Sequence, residues 1–162
     1  MTDAPRPRFH WRRFDELSPR ELHDALRLRS RVFVVEQNCV YLDVDGRDPE
    51  ALHLYAWLDA MPELAGYLRC FTPPGHAARI GRVITAPEVR GTGLGRRLMA
   101  EALRGLAERC GPIAVELSAQ AHLERFYGSF GFARCSENYL EDGIPHCEMR
   151  LERLAVAAAP PR

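Results

Sequence analysis

Arg90-Gly91-Thr92-Gly93-Leu94-Gly95-Arg96-Arg97 stands between the apolar stretch Ile80–Thr85 and a helix-like pattern that runs from Leu94 to Cys110. A strand that feeds a glycine-rich turn and then a helix presents unpaired main-chain amides at the positive end of the helix dipole, which is a site for an anion. Glycine lets the backbone turn tightly and come close to a ligand. Arg90, Arg96 and Arg97 add guanidinium groups able to make charge-assisted contacts to phosphate. Two commoner phosphate loops do not fit. A Walker A loop ends in Gly-Lys-Ser/Thr, and this chain has no lysine; a dinucleotide fingerprint reads Gly-x-Gly-x-x-Gly, whereas Gly91, Gly93 and Gly95 alternate with single residues.

Reading outward, the helix after the turn has an apolar stripe of Leu94, Leu98, Ala102 and Leu106, with Met99 and Leu103 beside it. Arg97, Glu101, Arg104 and Glu108 point away, and Gly111-Pro112 stops the helix. Ile113–Leu117 reads as a buried strand and Gln120–Phe130 as a short helix ending at Gly131. A final pair of strands, Ala133–Tyr139 and His146–Leu154, is linked through Glu141–Pro145. Upstream of the turn, Leu52–Leu58 and Leu64–Phe71 read as a hairpin around Asp59–Glu63, and Pro73-Pro74-Gly75 breaks the chain before the strand Arg79–Thr85. Gly81 inside that strand signals a bulge or a close approach by a ligand. Phe9–Phe14 reads as an edge strand. Ser18-Pro19-Arg20-Glu21 is a capping box with an early proline, opening a helix expected to reach Phe33 or Val35. Strand, helix, three strands, helix, strand, helix and two strands predict an α/β or α+β sheet with helices on both faces. One domain is expected over 1–154, with 155–162 a disordered tail.

Bulk properties narrow the function. The chain of 162 residues carries 22 basic and 22 acidic residues, so no net field recruits nucleic acid. The basic cluster Arg6, Arg8, Arg12 and Arg13 is followed at once by Asp15 and Glu16 and reads as a solvated edge. No apolar run approaches the ~20 residues of a membrane span, and the first residues lack a secretory apolar core, which predicts a cytoplasmic protein. Five cysteines, with no Cys-x-x-Cys spacing, imply neither a disulfide framework nor a zinc site. In Tyr41–Glu50, Asp43, Asp45 and Asp48 invite comparison with a calcium loop, but Gly46 comes fourth and Pro49 interrupts. That segment reads as a solvated turn, or as acids facing a cationic substrate. No metal is expected.

Arg90, Gly93 and Gly95 match Arg/Gln-x-x-Gly-x-Gly, and the stretch resembles the pyrophosphate-binding motif of the GNAT superfamily of acyl-CoA-dependent N-acetyltransferases. Phe126-Tyr127 followed by Gly131-Phe132 is similar to the last helix and strand start of these enzymes. Val32–Cys39 with Asp43–Gly46, and Glu141–His146, resemble the ElaA-type branch. Together the blocks span about Arg27 to Met149. The resemblance implies a GNAT-like fold with a mixed, mostly antiparallel central sheet. It also implies acetyl-CoA as cosubstrate, with pyrophosphate on Val89–Arg97 and pantetheine along the edge of Val83–Thr85. The implied coenzyme-binding residues are Val83, Ile84, Thr85, Arg90, Gly91, Thr92, Gly93, Leu94, Gly95, Arg96 and Phe126.

The implied reaction is direct attack of a primary amine on the thioester through a tetrahedral intermediate. A lysine-like ammonium with pKa ~10.4 is neutral only about once in two thousand at neutral pH, so a base must take a proton. By the resemblance, an amide near Val83 or Ile84 stabilises the oxyanion and Tyr127 is the acid for the departing thiolate. Glu36 is the leading candidate for the base, with His53, His146 and Glu148 as further candidates and His122 a helix-surface residue. The acceptor is an amine-bearing small molecule or protein entering from the Glu36 side, and Asp43, Asp45, Glu141 and Asp142 would suit a polyamine, a lysine or a protein N-terminus. A homodimer is compatible with all of this. Two rival readings are a non-catalytic acyl-CoA-binding or interaction module, and transfer of a longer acyl group.

Overall fold

A computed structural model describes residues 6–155. Apart from Ala155, the expected tail lies outside the described residues. Strand β1 (Arg8–Arg13) is followed by α1 (Pro19–Arg29), β2 (Leu52–Trp57), β3 (Gly66–Phe71), β4 (Ala78–Thr85) and α2 (Leu94–Cys110). Then come β5 (Val115–Gln120), α3 (Glu124–Gly128), β6 (Ala133–Arg134), β7 (Tyr139–Glu141) and β8 (Ile144–Leu151). One sheet runs in the order β1-β2-β3-β4-β5-β8-β6, with β7 also on β8. Every pairing is antiparallel except β4 with β5. Among the described residues no helix is long and apolar enough to cross a membrane.

Alternation along the central strands sends side chains to two cores. Leu54, Ala56 and Leu68 pack with Leu98, Met99, Ala102 and Leu106 of α2 on one face. Tyr55, Tyr67 and Ile84 pack with Ala25, Leu28 and Val32 on the other. Helices therefore cover both faces, because period-2 strands with apolar residues at every position have no face left for water. The capping box forms as read: the Glu21 amide donates to Ser18 Oγ at 3.1 Å, and the Ser18 amide donates to Glu21 Oε2 at 2.9 Å.

Three expectations need correction. The first helix does not run on as α-helix; after Arg29 it widens into a π-helical stretch, Ser30–Glu36, whose Gln37 amide reaches back five residues to the Val32 carbonyl. The β-branched Val32, Val34 and Val35 pack poorly in a tight α turn. Two C-terminal strands become three, since β7 occupies part of the supposed linker and turns back on β8 through Asp142 and Gly143, both at positive φ. The acidic segment 41–50 is not a solvated turn. Asp43 and Asp48 are each only 4% exposed, bonded to arginines from distant elements that no local pattern reveals.

Candidate active site

β4 and β5 pair over three residues, from Ala78 opposite Val115 to Ile80 opposite Leu117, and then part. β3 continues to pair with the other edge of β4 as far as Thr85. Residues 81–85 thus keep one edge without a strand partner, and a cleft of about 1050 Å³ opens there. β4 carries one more residue than β3 between the pairs Arg69–Gly81 and Tyr67–Ile84, which is a bulge. Its strained residue is Arg82, at φ +54°. Gly81, singled out from sequence, sits immediately before it, and a Cβ there would meet nothing within 4 Å.

What holds the bulge is a buried ionic cluster. Arg82 donates from Nε to Asp43 Oδ1 at 2.8 Å and from Nη2 to the Asp43 carbonyl at 3.0 Å. Arg29, 1% exposed, donates to Asp43 Oδ2 and Asp48 Oδ1, each at 2.8 Å. Arg69 donates to Asp48 Oδ1 at 2.8 Å and to both carboxylate oxygens of Asp45. Three guanidinium groups face three carboxylates, so the cluster carries no formal net charge. Asp43 and Asp45 are consequently engaged and do not form a free cation-binding face. His53 is buried behind this cluster, bonded to Tyr67 and the Asp48 carbonyl, and burial lowers its pKa, so it is a neutral structural histidine.

At the other end of β4, Gly91 and Gly93 have φ of +76° and +84°, and Gly93 caps α2. The first bond of the helix runs from the Arg97 amide to the Gly93 carbonyl, so the amides of Leu94, Gly95 and Arg96 have no intrahelical acceptor. A Cβ at Gly91 or Gly93 would meet open space, whereas one at Gly95 would sit 3.8 Å from Thr85 and 3.9 Å from Phe126. Gly91, Thr92, Gly93 and Arg96 are exposed. These residues fit a pyrophosphate. The arginines are less free than the sequence implied: Arg90 grips Glu36 through both nitrogens, one at 2.9 Å, and Arg96 donates to Ser129 Oγ at 3.0 Å.

Val83, Ile84, Thr85, Glu36, Arg90 and Tyr127 all line the cleft. Tyr127 is 6% exposed, packed edge-on against Phe126 and Phe132, and burial pushes its pKa up to about 12. Its hydroxyl makes no hydrogen bond to another described residue. Glu36 is held by Arg90 below the usual carboxylate range, which weakens it as a proton acceptor.

Opposite β4, β5 contributes Ser118 and Gln120, β7 contributes Glu141 and β8 contributes His146. His146 is 9% exposed; its Nδ1 lies 2.7 Å from the Ile144 carbonyl, which can only accept, so the neutral ring carries its proton there. Its Nε2 lies 3.3 Å from Glu141 Oε2. Ser118 bonds to Tyr139, and both Tyr139 and Arg79 donate to Glu148 Oε1, at 2.8 and 2.9 Å. Glu148 itself does not line the cleft. Gln120 of β5 donates to Gln37 at 3.2 Å, and the Cys39 thiol donates to the Asp142 carbonyl at 3.3 Å, which joins the sequence blocks 32–39 and 141–146. Sequence reasoning missed Arg69, Arg82, Ser118 and Tyr139, whose partners lie far along the chain; the only signal was an excess of aspartate in 43–48.

The model for the acetyltransferase (GNAT) domain matches residues 34–153. The ElaA protein of Escherichia coli is 43% identical over 141 residues, covering 85% of this chain and 91% of that one. A UPF0039 protein of Schizosaccharomyces pombe is 43% identical over 145 residues, covering 89% and 96%. The crystal structure of an acyl-CoA N-acyltransferase from Pseudomonas aeruginosa superposes with a TM-score of 0.84 at 42% identity, over 90% of this chain and 99% of that one. A parted β4–β5 pair beside a glycine-capped helix, joined to these similarities, places the chain in the GNAT acetyltransferase family, in the branch that holds ElaA.

Proposed function

We propose that the protein transfers an acetyl group from acetyl-CoA to a primary amine by direct attack. The observation that carries this reading is that one cleft contains the partnerless edge of 81–85, a buried phenol with no acceptor of its own, and Arg90, which opens the glycine turn leading to the unpaired amides of Leu94–Arg96. The helix amides and dipole bind the pyrophosphate of the coenzyme. The open strand edge of Val83–Thr85 pairs with the amides of its pantetheine as an added strand would. Amides of the bulge, near Val83 and Ile84, donate to the oxyanion.

Tyr127 supplies the proton for the departing thiolate, its phenol being protonated at neutral pH. His146 takes the base role in place of Glu36. Its Nδ1–H is anchored on a carbonyl, leaving the Nε2 lone pair for the amine proton, and Glu141 beside Nε2 steadies the imidazolium that forms. Glu36, paired and weakly basic, instead holds Arg90 at the mouth of the phosphate turn. No covalent enzyme intermediate is required, so no serine or cysteine acts as nucleophile.

The test is thiol release from acetyl-CoA across an amine panel, with products identified by mass spectrometry. Tyr127→Phe and His146→Gln are each expected to lower kcat about 10²- to 10⁴-fold while coenzyme affinity holds. Gly93→Asp, which places a carboxylate on the anion site, is expected to abolish coenzyme binding by calorimetry. A silent panel with intact coenzyme binding would replace this reading by that of a binding module.

A further inference from the structure

Four arginines line the acceptor half of the cleft: Arg47, Arg69, Arg79 and Arg82. Arg79 is neutralised by Glu148 at 2.9 Å, Arg82 by Asp43, and Arg69 by Asp45 and Asp48. Arg47 differs. Among the described residues no carboxylate pairs with its guanidinium, which lies over the Phe71 ring, 4.1 Å from the centroid. The guanidinium of Arg69 lies 5.1 Å from the centroid of the same ring, and its Nε is buried without an acceptor, but its charge is met by Asp45 and Asp48, so Arg47 supplies the unpaired positive charge at Phe71. Between this platform and the His146 wall, the floor is Gly81, paired with Arg69 in the β3–β4 register and bare of side chain. One cleft thus holds both an arginine that no carboxylate among the described residues pairs and the histidine proposed as base.

We infer that the acceptor is an amine that also carries a carboxylate, its anion on Arg47 and its amine at His146, and not a polyamine. This deepens the acetyltransferase reading and rests on it. A carboxylate on a guanidinium forms a charge-assisted, often bidentate contact, and the aromatic ring beneath Arg47 holds the group in place at little entropic cost. Of the acids that suited a polyamine from sequence, Asp43 and Asp45 already serve Arg29, Arg69 and Arg82, whereas Glu141, 3.3 Å from His146, and Asp142 line the side of the cleft assigned to the amine.

Matched pairs of acceptors test the assignment: lysine against cadaverine for free amino acids, and a short peptide with a free against an amidated C-terminus for polypeptides. The carboxylated member of at least one pair is expected to have a kcat/KM at least about tenfold higher, carried in KM. Which pair responds separates a free amino acid from a chain end. Arg47→Gln should bring that ratio close to one, and Arg47→Lys should restore part of it. Equal use of both members by the parent protein, or an equal loss on both members in Arg47→Gln, would overturn the inference. If no amine is acetylated, calorimetry of the same pairs on the CoA-saturated protein decides independently of turnover: tighter binding of the carboxylated member, lost in Arg47→Gln, supports the anion site, and equal binding overturns it.

Discussion

Replacing Asp48 by asparagine keeps the shape of the side chain and removes one of three negative charges from a cluster of six, four of them buried and Arg82 and Asp45 partly exposed. Asp48 Oδ1 accepts from Arg29 and Arg69 at 2.8 Å each, and both arginines are 3% exposed or less. Without its charge the cluster holds three guanidinium groups against two carboxylates. Removing one partner of a buried ion pair costs about 3–5 kcal/mol, because the remaining charge stays desolvated. Asparagine retains an acceptor and Asp43 remains on Arg29, which sets the expectation near the lower end, about 3 kcal/mol. For a chain of this size that loss lowers Tm by roughly 6–12 °C. Urea unfolding followed by the fluorescence of Trp11 and Trp57 measures it. The pH dependence supplies a second reading. Burial alone would raise the pKa of Asp48, but Arg29 and then Arg69 outweigh it and hold the carboxyl below its ordinary value. A depressed pKa means that the stabilisation is fully present above the unfolded carboxylate pKa of ~3.9 and is lost as pH falls through the folded value. The gap between parent and Asp48→Asn should therefore be constant above about pH 5 and narrow below about pH 4. A loss under about 1 kcal/mol, or a gap that widens on acidification, would refute the cluster as the support of the cleft wall.

Gly105→Ala should destabilise despite a helix-propensity gain of about 1 kcal/mol, because the added methyl would lie 2.4 Å from Cζ2 of Trp11. That ring is pinned by Glu101 and Arg109, so a net loss of about 1–3 kcal/mol in the same urea assay is expected. Glu36→Gln should change kcat less than about threefold and stability by under about 1 kcal/mol, the pair with Arg90 being exposed; a collapse of kcat would return the base role to Glu36. Gly93→Ala should cost about 1–2 kcal/mol from its left-handed backbone alone, with no clash, as thermal unfolding would show.

The secondary structure was legible wherever its cause is local. The capping box at Ser18–Glu21, the stripe of α2, the hairpin of β2 and β3 and the glycine turn are each set by residues within a few positions of one another. Boundaries moved where local preference is weak. The short β6 and β7 exist only because β8 offers its edge, and the π-helical stretch after Arg29 follows from packing as much as from its valines. Gly81 pointed correctly to a bulge, although the residue that takes the positive φ is Arg82, which nothing in its own neighbourhood marks for that conformation.

The site divides the same way. By itself the order of residues determined the strand-turn-helix cradle and the family, because main-chain amides, glycine dihedrals and a contiguous motif depend on neighbours in the chain. Tertiary structure alone decided which charges are free. Asp43, Asp45 and Asp48 looked solvated until Arg29, Arg69 and Arg82 arrived from three other elements; Glu36 looked like a base until Arg90 closed on it; Arg47 became distinct only because every neighbouring arginine found a carboxylate. Ion pairing acts through space over a few ångströms, and a folded chain brings those distances together from tens of residues apart.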